Sequence, residues 1–256
     1  MPLYFTDLHM HILPGLDDGS PSEESTLRMA AMAAESGTAK IVATPHSRGF
    51  GDHTDPLFHL TVREAADALG HALEDCGIPI RILTGMEVYA GEDTVSELAE
   101  GILLPLGDTR CVLTEFGFDE DPDFVEKTLH DMQDAGWLPL IAHPERYFFI
   151  QDDLNLAYRL VKAGCLMQVN KGSLLGRFGE TEQSCAMALI RHGLVHAVAS
   201  DAHSPRHRTP PLDTVYTWLS ETFSPRAAEL LLAQNPNRIL SGEQPTAVTE
   251  PFPFTR

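Results

Sequence analysis

Positive charge is scarce in this chain. Eighteen Lys and Arg face 37 Asp and Glu over 256 residues, a formal net charge of −19. Such a surface repels nucleic-acid phosphates and anionic lipid, so both are poor partners. A phosphorylated substrate stays open, because bound divalent cations would reverse the field locally. Cysteine is also scarce. The four present (Cys76, Cys111, Cys165 and Cys185) form no C-x-x-C pair, which argues against a zinc ribbon or a thioredoxin-type motif and fits reduced, mostly buried thiols in a cytoplasmic protein. No apolar run approaches the ~18 residues that span a bilayer, so no direct membrane insertion is expected. The opening MPLYFTDLHMH lacks the basic start and apolar stretch of a signal peptide. Neither a glycine-rich dinucleotide loop nor a glycine-rich phosphate loop is present, and no internal repeat is evident.

What is present is a steady alternation. Short runs rich in Val, Ile and Leu predict seven strands, at 3–8, 40–44, 80–88, 111–116, 138–142, 166–169 and 195–200. Between them lie amphipathic stretches that predict helices. The first starts at a Ser22 N-cap and stops at Gly37; others cover about 60–76, 121–135, 152–163 and 182–192, with two more near 212–222 and 225–234. Gly77, Gly136, Gly164 and Gly193 stand just past helix ends, where a left-handed residue is wanted. Alternating strands and helices imply an α/β fold with a parallel sheet, and seven repeats favour a closed or nearly closed TIM-like barrel. We expect one catalytic domain over residues 1–243 and a proline-rich tail over 244–256, running over the surface or mobile. Residues 47–59 have loop composition and are expected near the site.

The strand ends carry the chemistry. They deliver His9 and His11, His46, Glu87, Glu115, His143, and Asp201 with His203. Six of the seven predicted strands therefore place a metal-capable group at the C-terminal end, the rim where α/β active sites lie. Residues i and i+2 of a strand face the same way, so His9 and His11 can reach one ion, as can Asp201 and His203. A lone H-x-H also suits a hydrogen-bonded strand end, and a lone strand-end Glu is usually solvated; for the whole set that reading needs several coincidences at one rim. Either Asp17 or Asp18 fits by spacing alone. Mixed imidazole and carboxylate donors suit zinc, manganese or iron, and five histidines with four acids are too many for one ion. The histidines at 53, 59, 71, 130, 192 and 196 read as surface or supporting residues, and His207 lies nearer the site.

Asp7-Leu8-His9-Met10-His11 followed by Asp17-Asp18-Gly19 resembles the opening of the PHP (polymerase and histidinol phosphatase) superfamily. Further matches are Ala43-Thr44-Pro45-His46, Gly85-Met86-Glu87-Val88-Tyr89, Thr114-Glu115-Phe116, His143-Pro144-Glu145-Arg146-Tyr147, Gln168-Val169-Asn170-Lys171-Gly172-Ser173 and Ser200-Asp201-Ala202-His203. Their order resembles the bacterial manganese-dependent protein-tyrosine phosphatases of capsule and exopolysaccharide systems, the CpsB/CapC type. This resemblance implies a distorted (β/α)7 barrel of the PHP fold and three divalent ions, Mn first, with Fe or Zn as substitutes. It assigns His9, His11, Glu87 and Asp201 to one ion, Glu87, Glu115 and His143 to a second, and Asp18, His46 and His203 to a third. Arg146 and Arg208 match phosphate-holding arginines. Arg206 could replace Arg208, because Ser204-Pro205-Arg206-His207 departs from the usual pattern, and Asp201 is a candidate to assist the leaving group.

The implied substrate is the phosphotyrosine tail of a membrane-associated tyrosine autokinase governing polysaccharide export, and a homo-oligomer fits the resemblance. Two alternatives accompany it: a small-molecule phosphoesterase resembling histidinol phosphatase, and a non-catalytic regulator that binds the kinase. A decoy is also present. Cys185 and Arg191 have the C-x5-R spacing of cysteine-based phosphatases, but Ala186-Met187-Ala188-Leu189-Ile190 should form helix and leave no amide cradle for phosphate.

Overall fold

The computed structural model describes residues 4–48 and 55–255. Eight parallel strands form two sheets. One has the order β1 (Phe5–Met10), β2 (Thr38–Ala43), β3 (Arg81–Thr84); the other runs β4 (Glu87–Tyr89), β5 (Cys111–Glu115), β6 (Leu138–Ala142), β7 (Leu166–Asn170), β8 (Ala197–Ala199). The α/β alternation is as expected, but the count is eight strands in two sheets, where seven in one were expected. The reason lies at Gly85-Met86, inside the single strand predicted for 80–88. There the chain stops pairing only with β2 and begins pairing with β5. A Cβ at Gly85 would lie 2.9 Å from Val42 Cγ1 and 3.0 Å from Leu106 Cδ2, so the crossing depends on a residue without a side chain.

Backbone bonds continue across that break: Gly85 N donates to Ala43 O and Glu87 N to Pro45 O, both at 3.0 Å. The isolated bridge His46↔Glu87 joins the two sheets at this seam, and Met10↔Ala202 joins them at the other. Asp7 fastens the second seam, its Oδ1 accepting from Ser200 N at 3.0 Å. One buried cluster draws Leu8, Val42, Leu113, Leu140, Leu166 and Ala197 from six different strands, which requires a common interior. Two larger clusters lie between strands and helices.

Helices follow the predicted pattern with small shifts. Ser22 caps Glu23–Glu35, its side chain accepting from Ser25 N, and Gly37 has φ of 93° as a helix-ending residue should. The helix after β2 is Phe58–Asp75. Five short helices escaped sequence reading: Thr94–Glu100, Pro144–Arg146, Phe148–Asp152, Lys171–Leu174 and Asn235–Leu240. They are too brief to show a period. The start of the first predicted strand and residues 49–54 of the expected loop, His53 among them, lie outside the described residues.

The tail is tied down along the outside of the helices. Thr246 N donates to Asn235 Oδ1 (2.8 Å), Phe254 N donates to Asn155 Oδ1 (2.9 Å), and the His192 ring stacks on Phe254 at 3.6 Å. None of the described helices is long and apolar enough to cross a membrane.

Candidate metal centre

The strand ends converge as the rim pattern predicts. His9 lies in β1 and His11 just beyond it; Glu87 opens β4, Glu115 closes β5, His143 follows β6, and Asp201 with His203 follows β8. Five of these residues, His9, His11, Glu87, His143 and Asp201, are at most 1% exposed. His9 Nε2 and His11 Nε2 are 3.2 Å apart, and each is 3.2 Å from a different oxygen of Glu87. His143 Nε2 is 2.8 Å from Glu87 Oε1, and His46 Nδ1 is 3.0 Å from Glu87 Oε2. Glu87 is thus the hub.

The residues behind the histidines determine what those nitrogens can offer. His11 Nδ1 donates to Asp17 Oδ2 at 2.7 Å, which leaves Nε2 a bare lone pair in the neutral ring. For His9 the logic runs through a chain of amides. Asn170 Nδ2 donates to Asp201 Oδ2, and Gln168 Nε2 donates to Asn170 Oδ1 at 2.8 Å. Gln168 Oε1 is then an acceptor facing His9 Nδ1 at 2.8 Å, so His9 Nε2 is also bare. Two lone pairs and a carboxylate buried within hydrogen-bonding distance need positive charge between them. Asp201 Oδ1 and His203 Nε2 are buried without a hydrogen-bond partner, as open ligand atoms would be. A divalent cation fits this donor set.

The titration directions agree. Burial opposes charge on His11, yet Asp17, Asp201 and Glu87 outweigh it and raise its pKa well above the usual value. Burial also opposes charge on His46, but bonds to Glu115 and Glu87 bring it up to about 10. Burial pushes Glu87 and Asp201 upward; His9 and its neighbours overcome this and hold both well below the carboxylate range. With no cation, protons on the imidazoles would fill its place. Asp201 is therefore ionised, and its carboxyl holds no proton to give a leaving group.

Three groups of donor atoms lie within 4.8 Å of one another: His9, His11 and Asp201; His46, Glu87 and Glu115; and His11, Asp18, His46 and His203. All nine expected ligands are thus in one place, although the grouping differs in detail. His46 Nδ1 stands 3.4 Å from Glu115 Oε2, and His143 Nε2 lies 3.6 Å from Glu115 Oε1 and 2.8 Å from Glu87 Oε1. The Asp17–Asp18 ambiguity has a geometric answer. Asp17 sits behind His11, also accepting from His46 N at 3.0 Å, whereas Asp18 faces His203 Nε2 at 3.4 Å and His46 Nε2 at 3.5 Å. A Cβ on Gly19 would lie 2.3 Å from His11 O, so the Asp-Asp-Gly turn needs glycine to pack against the histidine.

Both candidate arginines reach the rim. Arg208 forms an ion pair with Asp201 Oδ2 and donates from Nε to Asp201 O at 3.1 Å; Arg146 Nη1 is 3.9 Å from the same carboxylate. Arg206 has no such contact and lines the neighbouring cavity. Phe178 lies between the arginines, its ring 5.0 Å from the Arg146 guanidinium and 5.9 Å from that of Arg208, and Phe118 flanks Arg146 at 4.7 Å. His143, Asp201 and Arg208 are the non-glycine residues with positive φ among those described, and all three belong to this site.

Sequence reasoning missed the supporting residues. Gln168 and Asn170 occupy i and i+2 of a buried strand, a polar pair in an apolar run that is the same signal as H-x-H. Glu145, fully buried, accepts from Asn170 N at 2.9 Å and Ser173 Oγ at 2.6 Å, and its Oε2 has no partner. Burial raises its pKa. His196 is neither surface nor support to the site. It is buried in the wall, Nδ1 accepting from Met167 N at 3.1 Å, and burial pushes its pKa down to about 4. The decoy thiol behaves as the helix argument requires. Cys185 lies within the helix Glu180–Arg191, and burial pushes it up to about 12, far from a reactive thiolate.

Residues 5–241 match the family described as capsular polysaccharide synthesis, CpsB/CapC. The tyrosine-protein phosphatase YwqE of Bacillus subtilis is 39% identical over 202 residues, 79% of this chain and 78% of that protein. The putative tyrosine-protein phosphatase CapC of Staphylococcus aureus is 30% identical over 208 residues, with 79% of this chain and 78% of that one covered. Among solved structures, a chain from the work on YwqE of B. subtilis and CpsB of Streptococcus pneumoniae, described as unique metal-dependent tyrosine phosphatases, superposes with a TM-score of 0.90 at 35% identity. It covers 98% of this chain and 100% of the other. The phosphotriesterase homology protein of Escherichia coli shares the fold alone, with a TM-score of 0.59 at 13% identity.

Proposed function

The chain belongs to the CpsB/CapC family, and from that premise we propose that it is a metal-dependent protein-tyrosine phosphatase of capsular or exopolysaccharide synthesis. The observation that carries this reading is the convergence of bare His9 and His11 nitrogens on Glu87 and Asp201 at the strand-end rim. We read the two sheets as one distorted seven-stave barrel, with β3 and β4 as two halves of one stave. Three divalent ions, manganese first among them, fit the nine donors. His9, His11, Glu87 and Asp201 would hold one, Glu87, Glu115 and His143 a second, and Asp18, His46 and His203 a third. Bound there, such ions supply Lewis-acid polarisation of a phosphoryl group and lower the pKa of water.

The rest is work for the side chains. Arg146 and Arg208 open onto the rim and would hold the phosphate through charge-assisted bonds that strengthen as charge develops on its oxygens. Asp201 turns Arg208 toward the cluster, and Phe178 with Phe118 sets the arginine planes. Ionised Asp201 gives no proton, which a tyrosyl ester tolerates, since phenolate leaves with a pKa of about 10. The Cys185 thiol is buried in helix and takes no part, so the C-x5-R spacing forms no phosphoenzyme. The physiological substrate in this reading is the phosphotyrosine tail of a membrane-associated tyrosine autokinase, reached by a cytoplasmic enzyme.

The test is turnover of a phosphotyrosine peptide by protein loaded with manganese, beside histidinol phosphate and sugar phosphates, with metal counted by elemental analysis. Peptide turnover that vanishes with chelation and returns with Mn is expected. A clear preference for the alkyl phosphates would overturn the reading.

A further inference from the structure

Next to the metal centre lies a cavity of about 480 Å³, of whose lining the catalytic reading uses only Arg208 and Phe178. Its lining includes Lys171, Arg177, Phe178, Arg206, His207 and Arg208. In a chain with 18 Lys and Arg in all, four at one cavity is a marked concentration. Their pairing state is more telling. Arg208 is turned to Asp201, and Lys171 donates to the carbonyls of Thr209 and Pro211. Arg177 and Arg206 have no carboxylate within ion-pair distance among the described residues, although the protein has twice as many acids as bases to offer.

These cations are placed by built structure. Ser204 Oγ accepts from His207 N at 2.9 Å and from Arg206 N at 3.3 Å and donates to His207 O at 2.7 Å, a tight turn that fixes the two basic residues. Arg177 is fixed from the other side, its N–H donating to Gly172 O at 2.8 Å. Phe178 forms the wall shared with the phosphate arginines. Burial lowers Lys171 to about 8, and Asp7 and Asp213 act against that. Asp7 and Asp213 face Lys171, but none of the described residues that line the cavity is acidic, so its mouth is basic.

We propose that this cavity is a second anion subsite, which takes an acidic group on the same polypeptide, a few residues from the phosphotyrosine in the metal centre. It rests on the phosphatase reading above and adds a sequence preference to it. A basic groove in an acidic protein has two consequences. It draws an anionic segment in one orientation, and the repelling surface around it penalises acidic groups placed elsewhere. Either a carboxylate or a second phosphate could be the occupant, since both offer the planar or tetrahedral oxygens that arginine recognises.

The test uses the Mn-loaded enzyme and four phosphotyrosine peptides that differ at flanking positions: neutral, one Glu, one Gln, or a second phosphotyrosine. KM should fall about five- to tenfold for the Glu or doubly phosphorylated peptide over the neutral and Gln peptides, and the gain should shrink with salt. Which of the two gains more identifies the source. Arg177→Glu should remove the gain while leaving turnover of p-nitrophenyl phosphate unchanged; Arg177 is exposed and unpaired, so the fold does not depend on it. A parallel anisotropy measurement uses the same peptides carrying a non-hydrolysable phosphonate in place of phosphotyrosine. Equal KM values for all four peptides, or a gain that survives Arg177→Glu, would overturn the subsite and leave the phosphatase reading intact. Charge-dependent binding of the phosphonates without any aryl phosphate turnover would do the reverse.

Discussion

The metal centre has two halves that differ in how they are held. On the inner side, His9, His11, Glu87 and Asp201 are at most 1% exposed, and each is held by its neighbours: His9 by Gln168, His11 by Asp17, Glu87 by four histidines, and Asp201 by Asn170 with Arg208. On the outer side the Asp18 side chain is 63% exposed and that of His46 31%, and among the described residues Asp18 is paired only with the two histidines it faces. The inner half therefore presents its donors already oriented, at the cost of burying charge. The outer half must order a side chain that water otherwise solvates. An ion on the inner side should be bound tightly and exchange slowly, and one on the outer side should come and go.

Replacing the hub gives the largest effect. Glu87→Gln should lower kcat/KM by at least about a thousandfold and reduce metal per chain at once, because His9, His11, His46 and His143 all meet at this carboxylate. Asp18→Asn should weaken one ion's binding by up to about a hundredfold, with activity restored by excess Mn. If Asp18→Asn proved as damaging and as unresponsive to Mn as Glu87→Gln, the distinction between the halves would be lost.

His196 sharpens the contrast, because it is a buried histidine with no acid beside it. Its folded pKa of about 4 lies below the unfolded value of 6.5, so its share of stability is complete above pH 6.5 and is lost as pH falls toward 4. Wild type should lose about 2 to 3 kcal/mol more than His196→Asn between pH 7 and pH 4.5, read by urea unfolding at each pH. Asparagine keeps the acceptor for Met167 N and cannot titrate. Smaller again, Gln168→Ala should cost about tenfold in metal affinity by freeing the His9 tautomer. Cys185→Ser should leave turnover within about twofold, since the thiol is buried in helix and unused.

Sequence reading recovered the rim because strand geometry is simple. A period of two and a C-terminal end are enough to place His9, His11, Glu87 or His143 on one face. The α/β class follows from the same alternation. The strand count did not follow, because at Gly85 the decisive fact is the room left by Val42 and Leu106, which no local pattern records. The supporting network stayed hidden for a related reason. Gln168 and Asn170 are ordinary polar residues until β7 is laid beside β6 and β8, and Asp17 differs from Asp18 only in which way the turn at Gly19 points it. The basic cavity joins residues 171–178 with 206–211, two segments that share no motif.

The left-handed backbone at His143, Asp201 and Arg208 has a kinetic consequence. Each such residue costs on the order of 1–3 kcal/mol, sustained only while its surroundings are intact. The loops that carry them should then open well before the sheets do. The amide of His203, bonded to Arg208 O across that strained turn, should exchange with deuterium far faster than those of Ala197–Ala199 in β8 a few residues upstream. The site would breathe on a rigid frame, and cations and product would enter and leave through that motion without unfolding the strands beneath.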